Sequence, residues 1–399
     1  MSTSKLAIEG GSPAVRDKLP PWPCLDEAAI QAVVEVLRGE WLTNGPTVAR
    51  FEQAFAEAVG ATFAVAFSSG TAALHAAAFA AGIGPGDEVI TSPLTFLASA
   101  NCLLYCGARP VFADIDPATL NLDPAKVQAA LSPRTRAILP IHFAGLPCPM
   151  DAIHAIARSR TLAVIEDAAH ALCAEWDGRR IVSASDLTTF SFHPVKHITT
   201  GEGGMVTGND PALAESLKRF RNHGIEREVR QRQATTRSAW QQPMVAFGFN
   251  YRLTDIHSAL GLSQLRRLDS RLARREEIAR RYHEAFAAMP EVTAAPTRRG
   301  TRHAWHIYPL LLNGEMLRRD REAIFQALRA ENIGVGVHYL PVHLHPYYRE
   351  RLGTGPGLCP AAEAAFERLL TLPLFPGMAD ADAADVIAAV EKVIRWARK

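Results

Sequence analysis

The sequence predicts an α/β protein: a large domain with a mostly parallel central sheet flanked by helices, then a smaller α/β domain. Three observations carry that reading. Short apolar runs alternate with helical stretches from Phe63 to Glu166, the pattern of strands buried on both faces by crossover helices. Two further strand-like runs, Leu187–Phe192 and Met205–Thr207, bracket a loop with one lysine and a Gly-rich turn. The length of 399 residues exceeds what one core ordinarily organises, so a second domain is expected.

Taken in order, residues 12–50 are rich in proline and polar groups, with a helix expected over Asp26–Arg38. The turn Trp41–Pro46 leads into an amphipathic helix, Val48–Val59. Strands are expected at Phe63–Phe67, Glu88–Thr91, Pro110–Ala113, Ala137–His142 and Ala163–Glu166. Helices are expected at Thr71–Ala81, Leu94–Cys106, Pro124–Leu131 and Met150–Arg158. The third of these has a clear start, Asp123 as N-cap and Pro124 in the first helical position. Beyond Thr207 come a helix, Ala212–Arg221, and an Arg- and Gln-rich segment, Glu226–Ser238, expected to be a mobile loop. A long helical region, Thr254–Ala288, crosses to the second domain. That domain reads as strand Ala304–Leu312, helix Arg319–Glu331, strand Gly334–His338 and helix Asp380–Ala397. The expected division is 1–250 for the large domain with its N-terminal segment, and 251–399 for the linking helix and small domain.

Composition narrows the function. Hydrophobic content of 48% with 21% charge is that of a globular protein, and a net charge of +2 gives no reason to expect nucleic acid or an anionic membrane as partner. No stretch approaches the roughly 18 apolar residues of a membrane span, and the start lacks the order of a signal peptide. The six cysteines form no CxxC pair and no zinc pattern; Cys102 and Cys106, one helical turn apart, read as packing. Reduced thiols in a cytoplasm are the simplest expectation. His343-x-His345 lies in a Pro-flanked loop without nearby carboxylates, so packing or substrate contact is expected there and no metal.

Three local patterns carry chemistry. Ser68-Ser69-Gly70-Thr71 falls where a strand ends and an Ala-rich helix begins; free N–H groups, the helix dipole and hydroxyls converge there, which suits a phosphate. Ordinary N-capping explains the same residues. Asp167 ends a buried strand, at the edge where open α/β sheets bind ligands. It either caps the next turn or holds a pyridine nitrogen protonated. At about 4 Å and an effective dielectric near 20 that pair interacts by roughly 4 kcal/mol, enough to fix the protonation state. Lys196 lies in the loop Ser191–Gly204; solvated it is an ordinary surface lysine, desolvated it forms a Schiff base with an aldehyde. Phosphate, pyridine nitrogen and aldehyde are the three handles of pyridoxal 5′-phosphate (PLP), and Phe96 adds an aromatic to cover one face of the ring. Together they predict a PLP enzyme.

The segments SSGTAAL, TSPLTFLASANCLLYCGARPVFADID, VIEDAAH, SFHPVKHITTGEGG and GFNYRLTDIHSALGLSQL resemble those of the DegT–DnrJ–StrS sugar aminotransferases, from about Pro20 to the C-terminus. The resemblance implies the fold type I aminotransferase architecture and a homodimer with shared active sites. It implies Lys196 as the Schiff-base lysine, Asp167 as partner of the pyridine nitrogen, His170 near the ring hydroxyl and Phe96 over the ring. It further implies Gly70, Thr71 and Ser191 on the phosphate, helped by Asn250 of the neighbouring subunit. Some relatives carry His in place of the lysine and dehydrate sugars; Lys196 argues against that branch. The segment Gly336–Tyr348 is similar to that of members acting on a UDP-linked 4-keto-6-deoxy amino sugar in the pseudaminic acid pathway. Thr43, His338 and Tyr339 are the candidate substrate contacts, and glutamate is the implied amino donor. The alternative is a related nucleotide-sugar transaminase, acting on the UDP-4-amino-4-deoxy-L-arabinose type or on GDP- or dTDP-sugars. Two rivals of other kinds are a PLP-fold regulator that has lost catalysis, which the intact Lys196 and Asp167 oppose, and a sulfur-transfer enzyme, which needs a reactive cysteine on a mobile loop.

Overall fold

The structure is a computed structural model that describes residues 5–15, 19–225 and 242–399; the expected loop Glu226–Ser238 lies outside them. Nine strands come from the first part of the chain: β1 (Phe63–Phe67), β2 (Glu88–Thr91), β3 (Arg109–Phe112), β4 (Thr135–Leu139), β5 (Ala163–Asp167), β6 (Glu175–Trp176), β7 (Arg179–Arg180), β8 (Leu187–Ser191) and β9 (Gly204–Gly208). Seven of them form one sheet in the order β1-β9-β8-β5-β4-β2-β3. Neighbours from β8 to β3 run parallel, and β9 is antiparallel to both β8 and β1. The chain reverses between β8 and β9, so the lysine loop is a hairpin held at both ends.

The helices between the strands start where the sequence places caps. The Ser69 side chain accepts the Ala72 N–H to open helix Gly70–Ala80; Asp123 and Asp210, each followed by proline, open Pro124–Ala130 and Pro211–Phe220. Helix Ala98–Tyr105 is shorter than expected, because Leu94–Leu97 is spent on the loop that brings Thr95 and Phe96 to the sheet edge. Under β8 and β9, Phe51, Phe55, Phe190 and Phe192 interlock with ring centroids 5.1–6.1 Å apart.

The expected long helix is two: Asp255–Leu265 and Leu268–Phe286, with Arg266 and Arg267 at the break. The first packs among helices Glu27–Arg38 and Pro46–Val59, and its buried Asp255 accepts the Gly45 and Thr47 N–H groups at 2.7 and 2.9 Å. The second turns away and places Ile278, Ala279, Tyr282 and Phe286 in another core. That core surrounds a small sheet of β10 (Val292–Thr293), β12 (Tyr308–Leu312) and β13 (Leu369–Leu372), with helices Arg321–Ala330 and Asp380–Ala397; β11 (Thr301–Arg302) instead pairs with β6. Strand β13 and helices Pro346–Leu352 and Pro360–Arg368 have no counterpart in the sequence expectation.

The expected strand Gly334–His338 does not form. Gly336 alone pairs with Thr371, after which His338 bonds the Thr371 hydroxyl at 2.9 Å and the chain turns into the cavity at Tyr339. The front half of the expected strand Ala304–Leu312 likewise leaves the sheet: Ala304 and His306 donate to Gly145 and Ala144 at 3.0 and 2.9 Å. Gly145 is required there. Its φ is +105°, and a Cβ would stand 2.8 Å from both His170 O and Trp305 N. The N-terminal segment is strapped to the small core through Glu331, whose fully buried carboxylate takes the Ala7 and Ala14 N–H groups and the Lys392 ammonium at 2.7–2.9 Å.

Candidate active site

The carboxyl ends of β1, β5 and β8 open onto a cavity of about 450 Å³. Gly70, Thr71, Phe96, Asp167, His170, Ser191, Lys196 and Tyr339 all line it. At one end, Gly70 and Thr71 begin a helix whose first N–H groups have no intrahelical partner, an anion-binding arrangement. Gly70 lies against Ser191 so closely that a Cβ would come within 2.8 Å of Ser191 Cβ. Only a bare α-carbon lets helix start and β8 approach there.

Asp167 is 5% exposed. Its Oδ2 accepts the Ser99 hydroxyl at 2.7 Å and Oδ1 the Ala169 N–H at 3.0 Å, while Thr95 Oγ1 meets Ser99 Oγ at 2.8 Å. Glu166, the residue before Asp167 on β5, is met instead by His142, whose Nε2 bonds its carboxylate at 2.7 Å and whose Nδ1 accepts the Cys148 N–H at 3.0 Å.

Lys196 is half-buried, its Nζ 3.4 Å from His306 Nε2. Burial pulls the amine down to about 8; Asp167 opposes that and Arg275 adds to it. His170 lies 4.3 Å from the His306 ring, tilted 40° to it, and is bonded through Nε2 to the Tyr339 hydroxyl at 3.2 Å, while its Nδ1 is buried without a partner among the described residues. Burial first, then Lys196, hold the His170 and His306 imidazoles well below their ordinary range. Phe96 stands at the mouth, 57% exposed, its ring 6.0 Å from Tyr339. His338 lies behind Tyr339, bonded to Thr371.

Three candidates do not line this cavity: His338, behind Tyr339, and Thr43 and Asn250. Thr43 pairs with Thr254 and Asn250 with Asn222; both side chains are exposed. Conversely, Ser99, His306 and Arg275 were missed. Ser99 has a weak signal, one helical turn after Thr95. His306 and Arg275 have none, since their proximity to Lys196 is made by loop docking across the whole fold.

The chain matches the DegT/DnrJ/EryC1/StrS aminotransferase family over residues 23–391. It belongs to that family. Among its relatives is the spore coat polysaccharide biosynthesis protein SpsC of Bacillus subtilis strain 168, 46% identical over 376 residues, 94% of this chain and 96% of SpsC. Helicobacter pylori PseC, an aminotransferase involved in the biosynthesis of pseudoaminic acid, superposes with a TM-score of 0.88 at 30% identity, covering 95% of this chain and all of PseC. Spr1654 of Streptococcus pneumoniae in its PLP form gives 0.85 at 30% identity, over 94% and 99% of the two chains. This DegT/DnrJ/EryC1/StrS protein is a PLP-dependent aminotransferase. Its cavity fits the cofactor: it is lined by a helix start without partners, an amine pulled down to about 8, a buried carboxylate, and an orphaned ring nitrogen on His170.

Proposed function

We propose that this sugar aminotransferase moves an amino group from glutamate to the 4-keto carbon of a UDP-linked 4-keto-6-deoxy amino sugar. The observation that supports it most is the meeting of Lys196, Asp167 and the Gly70–Thr71 turn in one cavity, on a chain that follows the PseC backbone. SpsC is named for spore coat polysaccharide biosynthesis and PseC for the biosynthesis of pseudoaminic acid, which accords with a surface-glycan precursor.

The helix start at Gly70 and Thr71, with Ser191, holds the phosphate of PLP. Bound PLP supplies an electron sink and a carrier for the amino group. Asp167, its oxygens already engaged by Ser99 and Ala169, keeps a proton on the ring nitrogen with a remaining lone pair. His170, with its unpartnered Nδ1, would hydrogen-bond the ring hydroxyl. Lys196 tethers the cofactor; as the free amine it then takes a proton from the donor's α-carbon and delivers one to the sugar carbon that gains nitrogen. Tyr339, backed by His338, forms the wall toward the sugar. Asn250 and Thr43, exposed and outside this cavity, serve the site of a second copy in a homodimer.

The test offers UDP-, dTDP- and GDP-linked keto sugars to protein whose cofactor glutamate has already aminated. A UDP-linked 4-keto-6-deoxy amino sugar is expected to restore the aldehyde absorbance fastest. Restoration only by a dTDP or GDP sugar overturns the substrate reading.

A further inference from the structure

Arg275 lies mid-way along helix Leu268–Phe286 and is 1% exposed. Among the described residues its guanidinium meets carbonyls and no carboxylate: Nη1 donates to Trp305, His306 and Leu374 at 2.9–3.0 Å. The Trp22 ring stands 5.7 Å from its Cζ, and Nε has no partner. A buried cation without a counter-charge is costly, and its field is poorly screened by solvent. His306 links it to the lysine: Arg275 grips the His306 carbonyl, and the ring of the same residue is 3.4 Å from Lys196 Nζ. Of two cations so placed, the ammonium sheds its proton and the guanidinium does not.

We propose that Arg275 is a positioning residue for Lys196: it fixes the loop that carries His306 and sets a positive charge near the amine, which raises the fraction of Lys196 present as the free base. The inference rests on Lys196 being the cofactor lysine. Besides Tyr339, Glu202 and His193 on the same cavity wall, the titratable groups around Lys196 are Asp167 at the end of β5 and four imidazoles: His170 in the loop after it, His197 next in the chain, and His306 and His338 from the small domain. Burial lowers all four imidazoles, to about 4 for His338, so none carries charge near neutral pH. Asp167 is left as the group that favours the ammonium, and Arg275 offsets it.

The test reads the amine itself: the pH dependence of Lys196 acylation in cofactor-free protein, followed by peptide mass spectrometry. Arg275→Gln keeps donors for the carbonyls and removes the charge; Arg275→Lys keeps the charge on a poorer fit. The wild-type midpoint is expected near 8 and unchanged in Arg275→Lys. In Arg275→Gln it rises by about one unit, leaving roughly tenfold less free amine at pH 7. A folded Gln variant with the wild-type midpoint overturns the inference, as does a Lys variant shifted as far as Gln. If Arg275→Gln does not fold, Trp22→Glu at the half-buried ring brings a counter-charge instead, and an upward shift supports the inference while none overturns it. Failure of the cofactor role is a separate result: Lys196→Ala would still tether PLP.

Discussion

Asp167 and Lys196 make opposite demands on protons within one cavity. Replacing Asp167 with Asn keeps its shape and removes the charge that protonates the pyridine. A loss of roughly 3 kcal/mol in transition-state stabilisation, over a hundredfold in kcat/KM, is expected from the electrostatic argument. A loss under tenfold would leave Asp167 a structural cap. Lys196 works as a free amine, so its sign is fixed: with its value pulled down to about 8, activity rises with pH and levels off above that point. Below it, kcat under saturating substrates is expected to fall about tenfold per unit of pH; a flat profile from pH 6 to 9 contradicts the role. Lys196, Asp167 and Gly70 were legible because each sits at a strand end with its own local signature. Ser99 was half-legible, a hydroxyl one turn from Thr95. Arg275 was invisible, since a helical arginine looks solvated until the fold buries it against three carbonyls.

The turn from β1 into its helix has little room to change. Gly70→Ala puts a methyl within 2.8 Å of Ser191, so the helix start or β8 must shift by tenths of an ångström just where the phosphate sits. At least a tenfold weaker retention of PLP on dialysis is expected, with near-native circular dichroism; retention equal to wild type would remove the phosphate role from this turn. Elements with local logic were read well from sequence: capped helices such as Pro124–Ala130, and buried strands such as Phe63–Phe67. Elements whose form depends on distant partners were not. Gly334–His338 has strand composition, yet β13 holds it through Gly336 alone, and the 304–306 stretch docks on Gly145 where a strand was expected. The break at Arg266–Arg267 was hidden because both flanks are good helix; only the change of packing partner reveals it. On that packing we place the first of these helices with the large domain, since it sits among Glu27–Arg38 and Pro46–Val59.

In the whole molecule, exposed Thr43 and Asn250 stand on the large domain away from the cavity that their own chain forms. If Asn250 reaches the phosphate of a second copy, cofactor binding and dimerisation reinforce each other by linkage. Mixing inactive Lys196→Ala with an inactive Asn250→Ala variant is then expected to regain activity, as one site of each heterodimer has both residues intact. Activity that never exceeds the parents despite demonstrated subunit exchange leaves Asn250 only its bridge to Asn222, since Thr254 caps the helix that follows.

The antiparallel partner of β1 also sets a timetable for the nascent chain. Phe63 pairs with Gly208 and Phe67 with Gly204, so at about 5–20 residues per second β1 emerges from the ribosome about 7–28 seconds before the strand that covers its edge. In that interval an apolar run that ends fully buried stays open to chaperones or to another chain. The lysine waits on the same event. Until Gly204–Gly208 slots between β8 and β1, Lys196 hangs on a chain with one anchored end, and the cofactor can be captured only after that insertion.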